Sequence, residues 1–218
     1  MTAARVIVLA GGSGASGEVL SRALVEAGHR VVVTGRSESR LAALRSSVPG
    51  VETVKADATE LGAMRDLSDR LRDTHGAVDA VVPLVGGWRG GGGLAGQSDE
   101  DFAALLPALE AVRATSRAFD DVLRSSEAGR FAIVSSTAVA RPLAGGANYA
   151  AIKAASEAWA RAVAQGYAKA AREAEEPLRA ASVVFRAKAL DPDVLAARIA
   201  ALWDEDAATL NDRVLDLG

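Results

Sequence analysis

Seven short apolar runs punctuate the chain: RVIVLA (5–10), RVVVT (30–34), VETVK (51–55), DAVVPLV (79–85), RFAIVS (130–135), AASVVF (180–185) and RVLDL (213–217). Each is rich in valine or isoleucine, and most are apolar at consecutive rather than alternate positions, the pattern of strands buried on both faces. Between them apolar residues recur at three- and four-residue spacing, as at Leu41 and Leu44 and at Phe102, Leu105, Leu106, Leu109 and Val112, which predicts amphipathic helices. Strands alternating with helices predict an α/β fold: a doubly wound parallel sheet of about seven strands with helices on both faces, in three αβα layers. Two helices are expected to be long, roughly 99–127 and 148–172. AREAEEP (171–177) closes the second, because Pro177 opposes its continuation.

Composition narrows the class. The 218 residues are 50% apolar and 24% charged, which suits one compact domain over 1–218. A net charge of −3 without a basic run gives no electrostatic footprint for nucleic acid or an anionic membrane. Zero cysteines exclude disulfides and thiol chemistry, and His29 and His75 have no ligand-like spacing, so no metal is expected. VIVLA (6–10) is too short for a secretory core, and no run approaches the ~20 apolar residues that span a bilayer; the expectation is a soluble cytoplasmic protein. GGWRGGGGLAG (86–96) follows the fourth strand directly, as either a surface connection or a mobile flap over a substrate.

After the first strand comes LAGGSGASGEVL, with Gly12, Gly14 and Gly17 in GxGxxG register and Gly11, Gly14 and Gly17 in GxxGxxG register. Glycines permit a tight turn close to a pyrophosphate, while the helix beginning near Ala15 aims free N–H groups and its positive end at the phosphates. At the end of the second strand, where NAD-binding sheets commonly carry an acid for the ribose 2′-hydroxyl, stand Gly35 and Arg36. Arg36, with Ser37 beside it, offers charge-assisted hydrogen bonds to a 2′-phosphate, favouring NADP(H) over NAD(H). Asp57, in KADAT, suits either an adenine amino group or a plain turn.

GGANYAAIKAASEAW (145–159) puts Tyr149 and Lys153 one helical turn apart among small residues. An ammonium near a phenol favours the phenolate and readies the hydroxyl for proton exchange. Ser136, thirteen residues before Tyr149 at the end of the fifth strand, reaches the same crevice in such a sheet.

The glycine turn, VTGR, KADAT, IVSST and YAAIK, in this order and spacing, resemble the short-chain dehydrogenase/reductase family, with the likeness running from about residue 5 to 217. The resemblance implies a Rossmann domain in which Tyr149 exchanges the proton with a carbonyl or alcohol oxygen, Lys153 lowers its pKa and holds the nicotinamide ribose, and Ser136 hydrogen-bonds the substrate oxygen. It implies cofactor contacts from Gly11, Gly12, Ser13, Gly14, Ala15, Ser16, Gly17, Arg36, Ser37, Asp57, Ala58, Val85, Gly86, Tyr149 and Lys153, and a homodimer or homotetramer paired through the long helices. Apolar positions there, such as Phe119, Trp159 and Val163, equally suit the core; Trp88 and Trp203 read as packing residues.

The chain departs from the family pattern at three places. The usual NNAG is PLVG, with Pro83 and Leu84 for the asparagines; the asparagine of the helix after DEDF aligns with Leu109, a shift of one giving Glu110; and the PG dipeptide after the sixth strand is replaced within FRAKAL (185–190), with almost no substrate loop behind it. The reading is an NADP(H)-dependent carbonyl reductase or alcohol dehydrogenase acting on a small-molecule carbonyl or alcohol. The alternative is a cofactor-binding sensor or partner module with little turnover. A methyl transferase fits poorly, because it typically expects an acid at Gly35 or Arg36.

Overall fold

The computed structural model describes residues 4–217. Its strands are β1 Val6–Ala10, β2 Arg30–Gly35, β3 Glu52–Lys55, β4 Ala80–Pro83, β5 Arg130–Ser136, β6 Ala181–Ala187 and β7 Arg213–Asp216. They form one sheet in the order β3-β2-β1-β4-β5-β6-β7, with every neighbouring pair parallel. The helices are α1 Ala15–Glu26, α2 Glu38–Ser47, α3 Leu61–His75, α4 Asp99–Ala118, α5 Asp120–Ser125, α6 Ala147–Glu173, α7 Pro192–Ala200 and α8 Ala207–Leu210. The strand order reverses between β1 and β4, which opens a crevice at the carboxyl ends of the strands. Among the described residues no helix is long and apolar enough to cross a membrane.

The consecutive apolar positions have a direct structural cause. Alternate residues of each central strand point to opposite faces, and both faces are covered. Val8, Val81, Phe131 and Ile133 pack with Met64 and Leu71 of α3, Ala111 and Val112 of α4 and Ala160 and Tyr167 of α6. Ile7, Leu9, Val31, Val33, Val183 and Phe185 pack with Leu20 and Leu24 of α1, Leu41 and Leu44 of α2 and Leu195 and Ile199 of α7. The three positions left open between core and interface resolve differently: Phe119 is fully buried, whereas Trp159 and Val163 are half-buried beside the first of these clusters.

The helix expected over 99–127 is two helices. Phe119 leaves helical geometry at φ −104, ψ 6, its ring goes fully into the core, and α5 restarts at Asp120. Just before the break the Thr115 hydroxyl donates to the Ala111 carbonyl at 2.6 Å, a back-bond that bends helices. The apolar periodicity continues through the break, so the sequence pattern does not reveal it.

Charged groups fasten the amino ends of the central strands, opposite the crevice. Asp79, ahead of β4, accepts from the Val6 N–H at 2.9 Å and the Ser126 hydroxyl at 2.8 Å, with the Arg5 guanidinium 3.7 Å away. Arg130 at the start of β5 is buried and donates to the carbonyls of Leu202, Gly129, Arg179 and Glu205. His29 is buried beside Trp203, and its Nδ1 accepts from the Arg5 N–H at 3.3 Å, which requires an unprotonated nitrogen.

Burial, and then the Arg5 guanidinium, hold the His29 imidazole below its ordinary pKa of 6.5, against the opposing pull of Asp79. The unfolded chain therefore takes up this proton more readily than the folded one. The stability it contributes is complete above the ordinary imidazole range and is lost as the pH falls through it. Thermal denaturation between pH 7 and 5 is expected to show a falling midpoint, and a shallower fall in His29→Gln, whose amide keeps an acceptor for the Arg5 N–H. Parallel acid limbs in the two proteins would assign the fall to carboxylates.

Candidate active site

β1 ends at Ala10 and the chain turns through glycines into α1. Gly11 N–H donates to the buried Thr34 hydroxyl of β2 at 2.9 Å, which ties the turn to the neighbouring strand. Gly17, in the first turn of α1, lies against Gly12 so closely that a Cβ there would sit 1.7 Å from the Gly12 carbonyl oxygen, so no larger residue fits without displacing backbone. The N-cap, Gly14, offers no side-chain acceptor and faces open space, leaving the first N–H groups and the positive end of α1 free for an anion.

This turn forms one wall of a cleft of about 630 Å³. Gly11, Gly12, Ser13, Gly14, Ala15, Ser16 and Gly17 line it with Arg36 and Ser37 from the end of β2, Asp57 and Ala58 from the end of β3, and Val85 and Gly86 after β4. Every residue proposed from the sequence for the cofactor, apart from Tyr149 and Lys153, thus faces one space. Arg36 is 80% exposed, with its guanidinium 3.8 Å from Asp57 Oδ2. Asp57 Oδ1 accepts from both the N–H and the hydroxyl of Thr59, at 3.0 and 2.8 Å, so one oxygen shapes the turn and the other faces the arginine. Ser37 Oγ accepts from the Arg40 N–H at 3.3 Å and caps α2. Arg40 also lines the cleft. The sequence reading missed it; its signal was RSESR, a second arginine four residues after the first, at the start of a helix.

Ser136, Tyr149 and Lys153 do not line this cleft; they belong to β5 and α6 beyond Gly86. A Cβ built on Gly86 would lie 4.0 Å from Lys153 Nζ, so that residue is the point where the cleft meets the lysine. Ser136 is the buried last residue of β5; its Oγ accepts from the Ala138 N–H at 3.2 Å, which leaves its proton free to donate. Lys153 Nζ donates to the Val134 carbonyl at 2.8 Å and lies 5.7 Å from the centre of the Tyr149 ring. Burial lowers the Lys153 pKa from 10.5 to about 8, opposed in part by Glu157 one turn further along α6. The Tyr149 ring is half-buried against Leu105, Ala108 and Ile152, a patch that Leu109 joins. Glu110 faces away, into a separate cavity with Thr59, Glu60 and Arg113. Neither alignment puts a polar group of α4 beside the tyrosine.

A second network lies behind Lys153. Glu157 is buried and accepts from Ser135 Oγ at 2.6 Å and from Arg186 Nε and Nη2 at 2.8 and 2.5 Å. Burial pushes its carboxyl up, but the bonds from Arg186 and Ser135 outweigh this and hold it below the usual range. Arg186 comes from FRAKAL, the segment that departs from the family pattern. Residues 188–191 alone join β6 to α7, and Asp191 caps that helix. On the glycine-rich connection and the segment ahead of α6, Trp88, Leu94 and Leu143 are 62%, 70% and 70% exposed. Trp88 is therefore not the packing residue expected, because it rides on the glycine-rich connection above the sheet. Trp203 does pack, donating to the Ala128 carbonyl at 2.9 Å.

Comparison with known proteins fits this geometry. Among curated proteins, the NADP-dependent 3-hydroxy acid dehydrogenase YdfG of Salmonella typhi is 28% identical over 151 residues, which cover 68% of this chain and 61% of that protein. A Streptomyces sp. (strain C5) protein provisionally named as daunorubicin C-13 ketoreductase DnrU is 31% identical over 88 residues, or 38% of this chain and 31% of that one. The chain thus spans less than two thirds of the length of either relative. A crystal structure of a short chain dehydrogenase from Shigella flexneri 2a str. 301, complexed with NADP, shares the fold with a TM-score of 0.81 at 17% identity, covering 98% of this chain and 96% of that one. The family model for short chain dehydrogenases matches residues 5–171, a stretch that holds both the glycine turn and the Tyr149 and Lys153 helix, and the chain belongs to this family of oxidoreductases.

Proposed function

We propose that this protein is an NADP(H)-dependent carbonyl reductase or alcohol dehydrogenase whose chemistry is carried by Ser136, Tyr149 and Lys153. The observation that carries the reading is the position of Lys153 Nζ, next to the Tyr149 ring and next to Gly86, where the cleft ends. The cleft fits a phosphorylated dinucleotide in its own features: a helix N-terminus without a side-chain cap, open space at Gly14, and two arginines, Arg36 and Arg40, at the far end. NADP(H), when bound, supplies the hydride in reduction and takes it up in oxidation.

The chain's own residues would manage the oxygen and its proton. The Ser136 hydroxyl is free to donate to a carbonyl oxygen and stabilise the charge that develops there. Tyr149 passes its proton to that oxygen as the carbon is reduced, and the Lys153 cation beside the ring stabilises the phenolate left behind. With a pKa of about 8, Lys153 exchanges protons near neutrality and can return one from solvent to the tyrosine. A second reading, a cofactor-binding protein with little turnover, is favoured by one observation: α4 presents Leu109, not a polar group, to the patch that holds Tyr149.

Three measurements test the proposal. Tyr149→Phe is expected to lower kcat ~10²–10⁴-fold for a ketone or aldehyde with NADPH while leaving NADPH affinity within about twofold; an equally active Phe variant would remove the tyrosine from the chemistry, and a wild type inert across a broad carbonyl panel would favour the second reading. Arg36→Ala and Arg40→Ala should each narrow the NADPH/NADH affinity ratio by about tenfold, since a charge-assisted bond contributes ~1.5–3 kcal/mol; a ratio unmoved in both would place the 2′-position elsewhere. The Lys153 ammonium is present below its lowered pKa and lost above it, so kcat/KM for reduction should decline above about pH 8. A profile flat to pH 10 would show that its charge is not used.

A further inference from the structure

Gln97 makes a set of contacts that nothing above employs. It ends the glycine-rich connection, and its side-chain amide is engaged on both sides. Oε1 accepts from the Asn148 N–H at 3.1 Å, while Nε2 lies 3.0, 3.2 and 3.1 Å from the carbonyls of Gly91, Gly93 and Gly145. Asn148 immediately precedes Tyr149. The N-cap of α6, Gly146, supplies no side-chain acceptor, and the first turn of α6 holds no acidic residue. A 27-residue helix carrying the proposed acid thus begins without a cap of its own.

The connection is docked on the approach to that helix. Gly91 N–H donates to the Gly145 carbonyl at 2.7 Å, and the Asn148 side-chain amide donates to the Ser98 carbonyl at 3.0 Å. Ser98 in turn caps α4 through the Asp101 N–H at 3.1 Å. The glycines make this contact possible: a Cβ on Gly90 would stand 2.3 Å from the Gly145 carbonyl oxygen. Between a surface connection and a mobile flap, the structure shows a third arrangement, a segment stapled to residues 145–148.

We propose that Gln97 is a positioning residue which caps α6 from 51 residues away and thereby fixes the Tyr149 ring over Lys153. The inference rests on the reading of Tyr149 as the acid. The cap sets where the first turn of α6 starts, and Tyr149 is the third residue of that helix, so loss of the cap frays the turn that aims the hydroxyl. Lys153, one turn further in and tied to Val134, stays in place. Gln97 touches neither the cleft nor the lysine, so its removal leaves cofactor affinity intact while degrading proton transfer. Displacement of a reacting group by ~1 Å can reduce rates ~10²-fold.

Gln97→Met, which keeps the shape and removes both polar atoms, tests this in the full chain. The expected result is a 10- to 100-fold lower kcat with NADPH affinity within about twofold. Amide hydrogen exchange should quicken at residues 147–150 and stay unchanged at 160–170. The decisive arm is the pair with Tyr149→Phe: Gln97→Met added to that variant should lower the residual rate less than twofold, because Gln97 acts through the tyrosine. An equal loss in both backgrounds would overturn the proposal by making Gln97 a general stabiliser, and unchanged exchange at 147–150 would overturn it whatever the turnover. Should Gln97→Met fail to fold, Gln97→Ala removes the same acceptor with less bulk; fast exchange at 147–150 is expected there too, and native exchange overturns the cap. Because exchange is read without turnover, a wild type that reduces no carbonyl would sink the reductase reading while exchange alone still judged the cap.

Discussion

Lys153 donates to the Val134 carbonyl at 2.8 Å, and with that bond α6 is tied to β5. Further along the same helix the Glu157 carboxylate holds Ser135 of β5 and Arg186 of β6, the Ala160 carbonyl accepts from the Ser182 hydroxyl at 2.8 Å, and the Ala164 carbonyl accepts from the Asn211 amide at 2.9 Å. Positions 153, 157, 160 and 164 recur at three- and four-residue spacing, so all four ties fall on one helix face. Apolar burial drives the helix onto the sheet but is non-directional and tolerates sliding. Buried polar bonds do not, because a group displaced from its partner loses the bond and remains out of water. The depth and rotation of α6, and with them the place of the lysine beside the crevice, follow from this row of bonds.

The same row sets the electrostatics. Glu157 is the carboxylate nearest in sequence to Lys153 on that face, and left alone it would stabilise the ammonium strongly. Its charge is instead taken up by the forked Arg186 guanidinium and the Ser135 hydroxyl, which hold it ionised against the cost of burial. The Glu157 charge still pulls the Lys153 pKa up, but burial prevails and brings it to about 8. An arginine standing where the family pattern departs has a physical consequence: it keeps a buried carboxylate ionised on α6, one turn beyond the lysine.

Much of this was readable from the chain. The five central strands were legible because a strand covered on both faces must be apolar at successive positions, the edge strands β3 and β7 by their place between helical stretches, and the glycine turn because Gly17 and Gly12 approach too closely for any side chain. The Tyr149 and Lys153 spacing was legible because helical geometry alone makes them neighbours. Less visible was whatever depends on a distant partner. The break at Phe119 is hidden, since a residue turning into the core looks the same in a helical pattern as one on its buried face. The docking of 86–97 was undecidable from a run of glycines, which carry no side chain to announce what they rest against. Gln97 looked like any polar loop residue, because its partner at Asn148 is 51 positions away. Arg186 and Glu157 are 29 apart, and neither identifies the other in sequence.

The far end of the cleft raises a competition that sequence alone does not show. Arg36 sits 3.8 Å from Asp57, so the carboxylate could be thought to occupy the cation that the proposed 2′-phosphate needs. The magnitudes favour the phosphate. An ion pair whose arginine is 80% exposed contributes ~0–1 kcal/mol, since solvent and salt screen it and ordering the long side chain offsets part of the gain. Hydrogen bonds from a guanidinium to a phosphate contribute ~1.5–3 kcal/mol and match its forked geometry. Asp57 does not need Arg36 to hold its turn, because its other oxygen already takes both Thr59 donors. Arg40, fixed on the first turn of α2 by the Ser37 cap, adds a second positive charge to the same wall. The exposed pair is therefore a resting arrangement that a phosphate can replace, with Asp57 left free at one oxygen to accept a hydrogen bond from the group that enters beside it.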